Sequence, residues 1–546
     1  MGAEEITLVS ATKTELELME NLSRPAPIGL PPYLQRVALP RQYLDRTEDR
    51  FSLIHLAEAE GLPSTRTGME MLSKAPLLTV EGLAAAVSRL ERGGVLTMTR
   101  GIRLPPRDNI RIFATALAAL ERAGKNDPGV HIAAARNHLA VTTLVFASEI
   151  DKALSVEIST ACRELGLEII YLPHYRPDPD RKILHGFPSP PGMESDWYRY
   201  AAEGLADDRA ALLREYPFDV EPRGINSPYF HFFPEKRDAG SVSQALQPAA
   251  PGRGAVYAGP EAAYRIVLFS LIMLGVIGLP MIILPALSIR TGRGDAHAAD
   301  ISADPAAMVL LYSLFIGLAF MCLEYTLLNR FSLVLGHPVL GASAVISAFL
   351  IAAGAGSMTL RSRPPIRSIA AAGIASAAAI LLLEAGWGGP AGWGGPAAWI
   401  RPGGRAGSAF RGLAAAWGGL SGHGGPAGWS DGAGMAGIAG LLDQLPPASR
   451  FLVSLVICGV PAFFMGRMFP ALMRHLHTVD PALIPYAWGV NGFASVLTGP
   501  LSMLLFLHFG YRAGAFAAMA LYMAAVVAAV ALRIPPPVRR KKHKFS

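Results

Sequence analysis

Long apolar runs after residue 260 constrain this chain more than any other feature of its sequence. Two neighbouring runs, at 309–329 and 338–360, each approach the roughly 20 residues that a helix needs to cross a bilayer. The first run contains Glu324, and a carboxylate at membrane depth costs roughly 2.5–3.5 kcal/mol, so it usually faces a partner or water. The second run repeats a small residue at every fourth position: Ala344, Ala348, Ala352 and Gly356. Together the two runs predict a polytopic bundle of close-packed helices with a polar interior.

Composition divides the chain into a charged half and an apolar half. Hydrophobic residues make up 51% of the 546 residues and charged residues only 17%, below the roughly 25% usual for soluble proteins. Charges concentrate in the first 240 residues and in the last eight. The sequence therefore predicts a soluble domain followed by an α-helical polytopic membrane domain. Its seven candidate spans are 264–288, 309–329, 338–360, 366–385, 451–473, 486–508 and 513–532.

Strand-like and helix-like segments alternate in the soluble half. The run FSLIHL at 51–56 is read as continuously apolar, which predicts a strand buried on both faces. The strand-like runs at 131–137 and 141–148 are close enough to form a hairpin. Strands alternating with helices predict an α/β domain whose sheet is mostly parallel and ends in this antiparallel pair. The other expected strands are 5–10 and 95–99, and the expected helices are 11–22, 79–91, 109–123 and 194–215.

Basic residues predict which side of the membrane the loops occupy. Arg361, Arg363 and Arg367 favour a cytoplasmic loop between the third and fourth spans, and the basic tail favours a cytoplasmic C-terminus. Seven crossings would then put the soluble domain outside, whereas a nucleotide-type α/β fold favours the inside. Either the proline-containing run at 264–288 does not cross, or a further crossing exists. We expect a multi-pass inner (plasma) membrane protein with the soluble domain and the C-terminal tail cytoplasmic.

Motifs in both halves resemble those of one family. The stretch TVEGLAAAVSRLERGGVLTMTRGIRLPPR at 79–107 and the segment SPYFHFF at 227–233 resemble the Rossmann-type domain of membrane-bound spermidine synthase-like proteins. The stretches MGRMFPALMR at 465–474 and YAWGVNGFASVLTG at 486–499 resemble membrane elements of that family. The resemblance implies an aminopropyltransferase or methyltransferase fold, of which this chain would lack the N-terminal part.

The resemblance and the composition together suggest six regions. They are a partial Rossmann-like domain at 1–175, a family-specific extension and linker at 176–262, transmembrane helices one to four at 263–385, a low-complexity loop rich in Gly, Pro and Trp at 386–449, transmembrane helices five to seven at 450–533, and a basic cytoplasmic tail at 534–546.

The cofactor site that the resemblance implies is incomplete in this chain. A nucleotide-type cofactor needs a glycine-rich turn after the first strand, and no such turn is present. The strand at 5–10 ends in Ser10, where an acid would hold the ribose hydroxyls. Glu58 and Glu60 are the only acids near the expected catalytic position, and they are weak candidates. We expect no cofactor in this chain alone, and S-adenosylmethionine or its decarboxylated form if the domain is completed.

Two functions remain open. One is an integral membrane protein related to spermidine synthases, whose degenerate transferase domain is inactive in this chain alone and is at most a polyamine aminopropyltransferase or S-adenosylmethionine-dependent transferase. The other is a membrane transport or sensing module for a polyamine or another small amine, which the absent glycine-rich turn favours. The expected partners are the lipid bilayer, a small amine, and an upstream-encoded half or a second copy. No basic–aromatic groove indicates nucleic acid, and no His or Cys spacing indicates a metal site.

Four polar residues within the apolar half form the candidate intramembrane site: Glu324, Arg330, Arg467 and Asn491. Arg330 lies six positions after Glu324, about 240° around the helix, so the two side chains cannot pair within one helix. We therefore expect Glu324 to pair with another helix, through Asn491 or Arg467. The alternative is that these side chains only bond neighbouring helices and serve packing.

Overall fold

The computed structural model describes residues 5–10, 13, 16–17, 33–56, 72–102, 106–176, 197–216, 218–234, 262–292, 305–360, 366–388, 438, 442 and 445–531. The chain forms two compact units, and the boundary between their main segments falls between Arg265 and Ile266. The predicted helix at 11–22 and the low-complexity loop lie largely outside the described residues.

The N-terminal unit contains two sheets. Strands β1 (Ile6–Ser10) and β2 (Tyr33–Val37) form a parallel pair. The second sheet has five strands in the order β3-β4-β6-β5-β7, and only β3 and β4 run parallel to each other as neighbours. These strands are β3 (Phe51–Leu56), β4 (Leu90–Gly101), β5 (Ile132–Arg136), β6 (Ala140–Phe146) and β7 (Glu168–Tyr171).

The hairpin of β5 and β6 confirms the predicted antiparallel pair, but the prediction of a mostly parallel sheet is wrong. Strand β6 inserts between β4 and β5 and runs against both, so three of the four pairings in this sheet are antiparallel. The prediction that β3 is buried on both faces is also wrong. It lies at the edge of the described sheet, where Ser52, Leu53 and His55 are exposed.

Helices cover this sheet, and capping residues fix where two of them begin. They are α1 (Pro40–Arg46), α2 (Val80–Ser88), α3 (Asp108–Arg122), α4 (Lys152–Glu164) and α5 (Trp197–Glu215). The Thr79 hydroxyl accepts a hydrogen bond from the Gly82 amide at the start of α2, and the Asp151 carboxylate caps α4 in the same way. Helix α2 ends before the predicted stop, and Gly93 instead supplies a positive φ of 87° within β4.

The described residues of the C-terminal part form six long helices. They are α6 (Ala262–Gly292), α7 (Pro305–Val334), α8 (Pro338–Met358), α9 (Ile366–Gly388), α10 (Pro447–Val479) and α11 (Ile484–Ala531). Five of them, α7 to α11, are long and apolar enough to cross a membrane, which indicates a membrane protein. In α6 the described residues include a shorter, predominantly apolar stretch, Ala263–Gly278.

Helix α11 reverses direction at Gly510, whose φ of 78° is accessible mainly to glycine. Its two halves correspond to the sixth and seventh predicted spans. Both halves pack on α7. A Cβ atom at Gly499 would lie 3.5 Å from the Tyr325 hydroxyl, and one at Gly514 would collide with Thr326. Small residues therefore bring both halves of α11 close to one helix.

The small residues of α8 lie against α10, as their four-residue spacing predicts. A Cβ atom at Gly356 would collide with the carbonyl oxygen of Phe463, and one at Gly466 would collide with the backbone of Ala353. Ala344 and Ala348 are buried in the same helix. The prediction of a close-packing face on this run is confirmed.

Candidate functional site

Arg111 of α3 fixes the aromatic segment that contains SPYFHFF. Its fully buried guanidinium donates hydrogen bonds to the backbone carbonyls of Phe230, Phe232 and Asp219. The same guanidinium lies 4.0 Å from the centroid of the Phe233 ring. Carbonyl oxygens and an aromatic face both stabilise a buried cation, so this arginine serves the interior of the N-terminal unit.

Pro106 and Arg107, the described residues of the PPR triplet, contact two aromatic residues that precede SPYFHFF in the sequence. The Arg107 guanidinium carbon is 3.7 Å from the centroid of the Phe218 ring, and the Tyr216 hydroxyl donates to the Pro106 carbonyl at 2.6 Å. Arg100 lies 5.3 Å from a ring of SPYFHFF itself. The contact between Arg100 and Phe230 thus brings together two motifs that are more than 100 residues apart in the sequence.

Four further buried titratable side chains near this segment form two pairs. Asp108 and His231 approach to 3.3 Å, and Asp219 bonds Arg223 at 3.1 Å. All four side chains are buried. Buried charges of this kind need partners to offset desolvation, and here the partners are protein groups. In the described residues these contacts serve packing.

The catalytic candidates of the sequence do not form a described site. Glu58 and Glu60 lie outside the described residues. Strands β1 and β3 end at Ser10 and Leu56, neither of which offers the carboxylate that binds ribose hydroxyls. These described residues do not fit an S-adenosylmethionine-type cofactor, so no step through one is derived. Burial lowers the pKa of Lys74 to about 8.

An ion pair joins two helices inside the C-terminal unit. Arg330 of α7 and Glu384 of α9 form a bidentate contact, with the second hydrogen bond, Nη2 to Oε2, at 3.0 Å. Their residues are only 3% and 5% exposed. The Trp387 ring covers the pair, since its centroid lies 5.2 Å from the Arg330 guanidinium carbon. Two parallel hydrogen bonds and the ring face offset the cost of burying the charges.

A second arginine belongs to this ion cluster, which we define as Arg330, Glu384 and Arg512. Arg512 follows the bend at Gly510 by two residues and interacts electrostatically with both members of the pair. Three helices therefore each contribute one charged side chain. Sequence reasoning identified Arg330 and missed the other two. Glu384 had a usable signal, because it is the lone carboxylate of the run AILLLEAGWG, just as Glu324 is of its own run.

Glu324 lies on the face of α7 that packs on α8. Phe320, one turn before it, contacts Phe349 edge-on with ring centroids 5.3 Å apart. Two turns after Glu324, the backbone of Ser332 packs against Gly341 of α8. A Cβ atom at Gly341 would come within 2.6 Å of that backbone. Glu324 is half-buried, and none of the residues that the structure describes forms a hydrogen bond or ion pair with its carboxylate.

The structure does not place either expected partner beside Glu324. Asn491 of α11 lies next to Gly317, two turns away from Glu324 along α7. Arg467 follows Gly466, which packs on Ala353 of α8, and no ion pair or hydrogen bond joins Arg467 to Glu324 among the described residues. The pairing of Glu324 with Asn491 or Arg467 is therefore wrong. The helix registers separate these side chains, and a sequence alone does not give interhelical register.

Comparison of the chain with protein-family profiles, with curated proteins and with solved structures finds no match. The kinship expected from the motifs therefore stays a prediction. The function has to be argued from the geometry of the sites described above.

Proposed function

We propose that the helical bundle is a membrane module that binds a small amine, for transport or sensing, through the carboxylate of Glu324. A single contrast carries this proposal. Glu384 is neutralised by Arg330, whereas Glu324 has no cation or hydrogen-bond donor among the described residues. A carboxylate at membrane depth is costly unless it is neutralised. A primary ammonium group supplies both a positive charge and three donors.

The direct test is uptake of radiolabelled spermidine or putrescine by proteoliposomes that contain the full chain. Uptake should be retained in part by Glu324→Asp, which keeps the charge, and lost in Glu324→Gln, which keeps the shape. Asp480→Asn is the matched control, because it makes the same carboxylate-to-amide change at the end of α10. Equal uptake by wild type and Glu324→Gln would contradict the proposal. Binding without uptake would favour sensing over transport.

We further propose that the N-terminal unit is a degenerate transferase-type domain, related to spermidine synthase-like membrane proteins, that regulates the bundle. The contact of Arg100 with Phe230, and those of Pro106 and Arg107 with Tyr216 and Phe218, support an integral domain that contains both motifs. The missing glycine-rich turn argues against catalysis by this chain.

This second proposal is tested by titrating the full chain with S-adenosylmethionine and with its decarboxylated form. We expect no binding tighter than roughly 100 μM, which corresponds to about −5.5 kcal/mol. A 1:1 complex below that concentration would restore the transferase interpretation.

A further inference from the structure

Most hydroxyl groups in the helical bundle are satisfied within their own helix. The hydroxyls of Ser313, Thr326 and Thr498 each donate to the carbonyl oxygen four residues earlier, at 2.7–2.9 Å. The same bond is made by Ser376, Ser454 and Ser495. Bonds of this kind leave little polarity between helices. Any hydroxyl that departs from the pattern therefore needs an explanation.

One group of polar side chains between α7 and α11 departs from it; we call it the tyrosine cluster, and it comprises Tyr312, Cys322, Ser502 and Tyr522. All four residues are buried. The Tyr312 hydroxyl donates to the carbonyl of Met468 at 3.2 Å, and the Cys322 thiol donates across the helix interface to the carbonyl of Gly514. The Ser502 hydroxyl lies near the Cys322 thiol, but it forms no hydrogen bond with a described atom.

Two hydroxyls of the cluster, those of Tyr522 and Ser502, have no hydrogen-bond partner among the described residues. The larger of these two side chains is Tyr522. The residue is 0% exposed, and no described atom forms a hydrogen bond with its Oη. It lies within electrostatic range of both Tyr312 and Cys322. A buried hydroxyl without a partner carries the full cost of its lost hydration, so native proteins rarely retain one.

The hydrogen-bonding chemistry of the cluster indicates which kind of partner the Tyr522 hydroxyl needs. A phenol hydroxyl must donate its proton to an acceptor, and an ammonium group has none to offer. Water both accepts and donates, and a buried water typically makes two to four hydrogen bonds. It can accept from Tyr522 Oη and donate to the oxygen of Tyr312, whose own proton is already directed at Met468.

We propose that Tyr522 binds an ordered water molecule in the interior between α7 and α11, held by the other members of the tyrosine cluster. This inference is independent of the amine proposed above, because it concerns a neutral ligand and residues other than Glu324. The proposal places water inside a bundle in which most other described hydroxyls donate hydrogen bonds within their own helices.

Radiolytic hydroxyl labelling tests this proposal on the full chain in lipid nanodiscs, because ionising pulses oxidise buried side chains that touch ordered water. Cys458 of α10 is the matched control, since it is a native cysteine that is also fully buried. We expect oxidation of Cys322 and Tyr522 to exceed that of Cys458 by at least tenfold. Rates equal to that of Cys458 would overturn the proposal.

The variant Tyr522→Phe supplies a second, independent readout. If a water satisfies the hydroxyl, the variant should lower the oxidation of Cys322 several-fold and should not raise the melting temperature. If the hydroxyl has no partner at all, its removal should raise the melting temperature and leave the oxidation of Cys322 unchanged. The second result would contradict the water site even if the variant folds normally.

Discussion

Burying the charges of Arg330 and Glu384 costs hydration free energy, and the bidentate geometry of their contact offsets that cost. Both charges are almost completely buried, and two parallel hydrogen bonds join them. In such a pair the attraction roughly offsets the loss of hydration, so its net contribution to stability is small. Removing one partner is different, because the other charge then stays buried without compensation.

Arg330→Ala should therefore lower the free energy of unfolding by about 3–5 kcal/mol, since it leaves Glu384 buried with less compensation. The double variant Arg330→Leu/Glu384→Leu should be far more stable than the single variant and near wild type. Thermal unfolding of the purified protein in detergent gives both values. Losses that simply add in the double variant would show that the pair is not a unit.

Sequence inspection locates Arg330 and Glu324 because a charge inside an apolar run is a local signal. It does not find the pairing of Arg330, because Glu384 lies 54 residues away on another helix. It also assigns Glu324 two partners that the helix registers exclude. The chemistry of single positions is thus predictable here, whereas their pairing depends on packing between distant helices.

At the scale of elements, α8 and α10 are joined by backbone contact. Gly356 and Gly466 bring each helix against the backbone of the other, with no room for a Cβ atom. Close approach of this kind maximises dispersion contacts, which drive helix association where lipid removes the hydrophobic effect.

Gly356→Leu should destabilise the bundle by at least the roughly 1–3 kcal/mol typical of overpacking, because its side chain would meet Phe463. Gly354→Leu is the matched control on the same helix, since a Cβ atom at Gly354 meets nothing within 4 Å. The difference in melting temperature between the two variants measures the effect. Equal melting temperatures would contradict the α8–α10 packing.

Local sequence patterns predict the hairpin of the five-stranded sheet but not its strand order. The run at 132–136 and its neighbour form the expected hairpin, because their separation leaves only a short connection. The insertion of β6 between β4 and β5 is a matter of long-range pairing. The exposure of Leu53, at 57%, likewise follows from the edge position of β3 and not from its composition.

At the scale of the whole molecule, the structure bears on how many times the chain crosses the membrane. Helices α7 to α10 account for four crossings, and the two halves of α11 account for two more. Helix α6 is 31 residues long, and Ala263–Gly278 is its described apolar stretch. Six crossings put both ends of the bundle on one side. The expected cytoplasmic placement of both the N-terminal unit and the C-terminal tail needs such an even number of crossings.

We predict that α6 does not cross the membrane. Reporter fusions after residues 240 and 296 should then read the same side, together with fusions after Arg363 and Lys544. Fusions within 400–430 should read the opposite side. If the fusions at 240 and 296 report opposite sides, α6 is a seventh span and the N-terminal unit is outside.

Calorimetric titration of spermidine into the full chain in nanodiscs shows whether Glu324 binds an amine. We predict that one amine binds per chain. Glu324→Gln should weaken the affinity at least tenfold, or about 1.4 kcal/mol, and Asp480→Asn should leave the affinity unchanged. An amine that does not bind the wild type, or that binds Glu324→Gln equally well, would contradict the account.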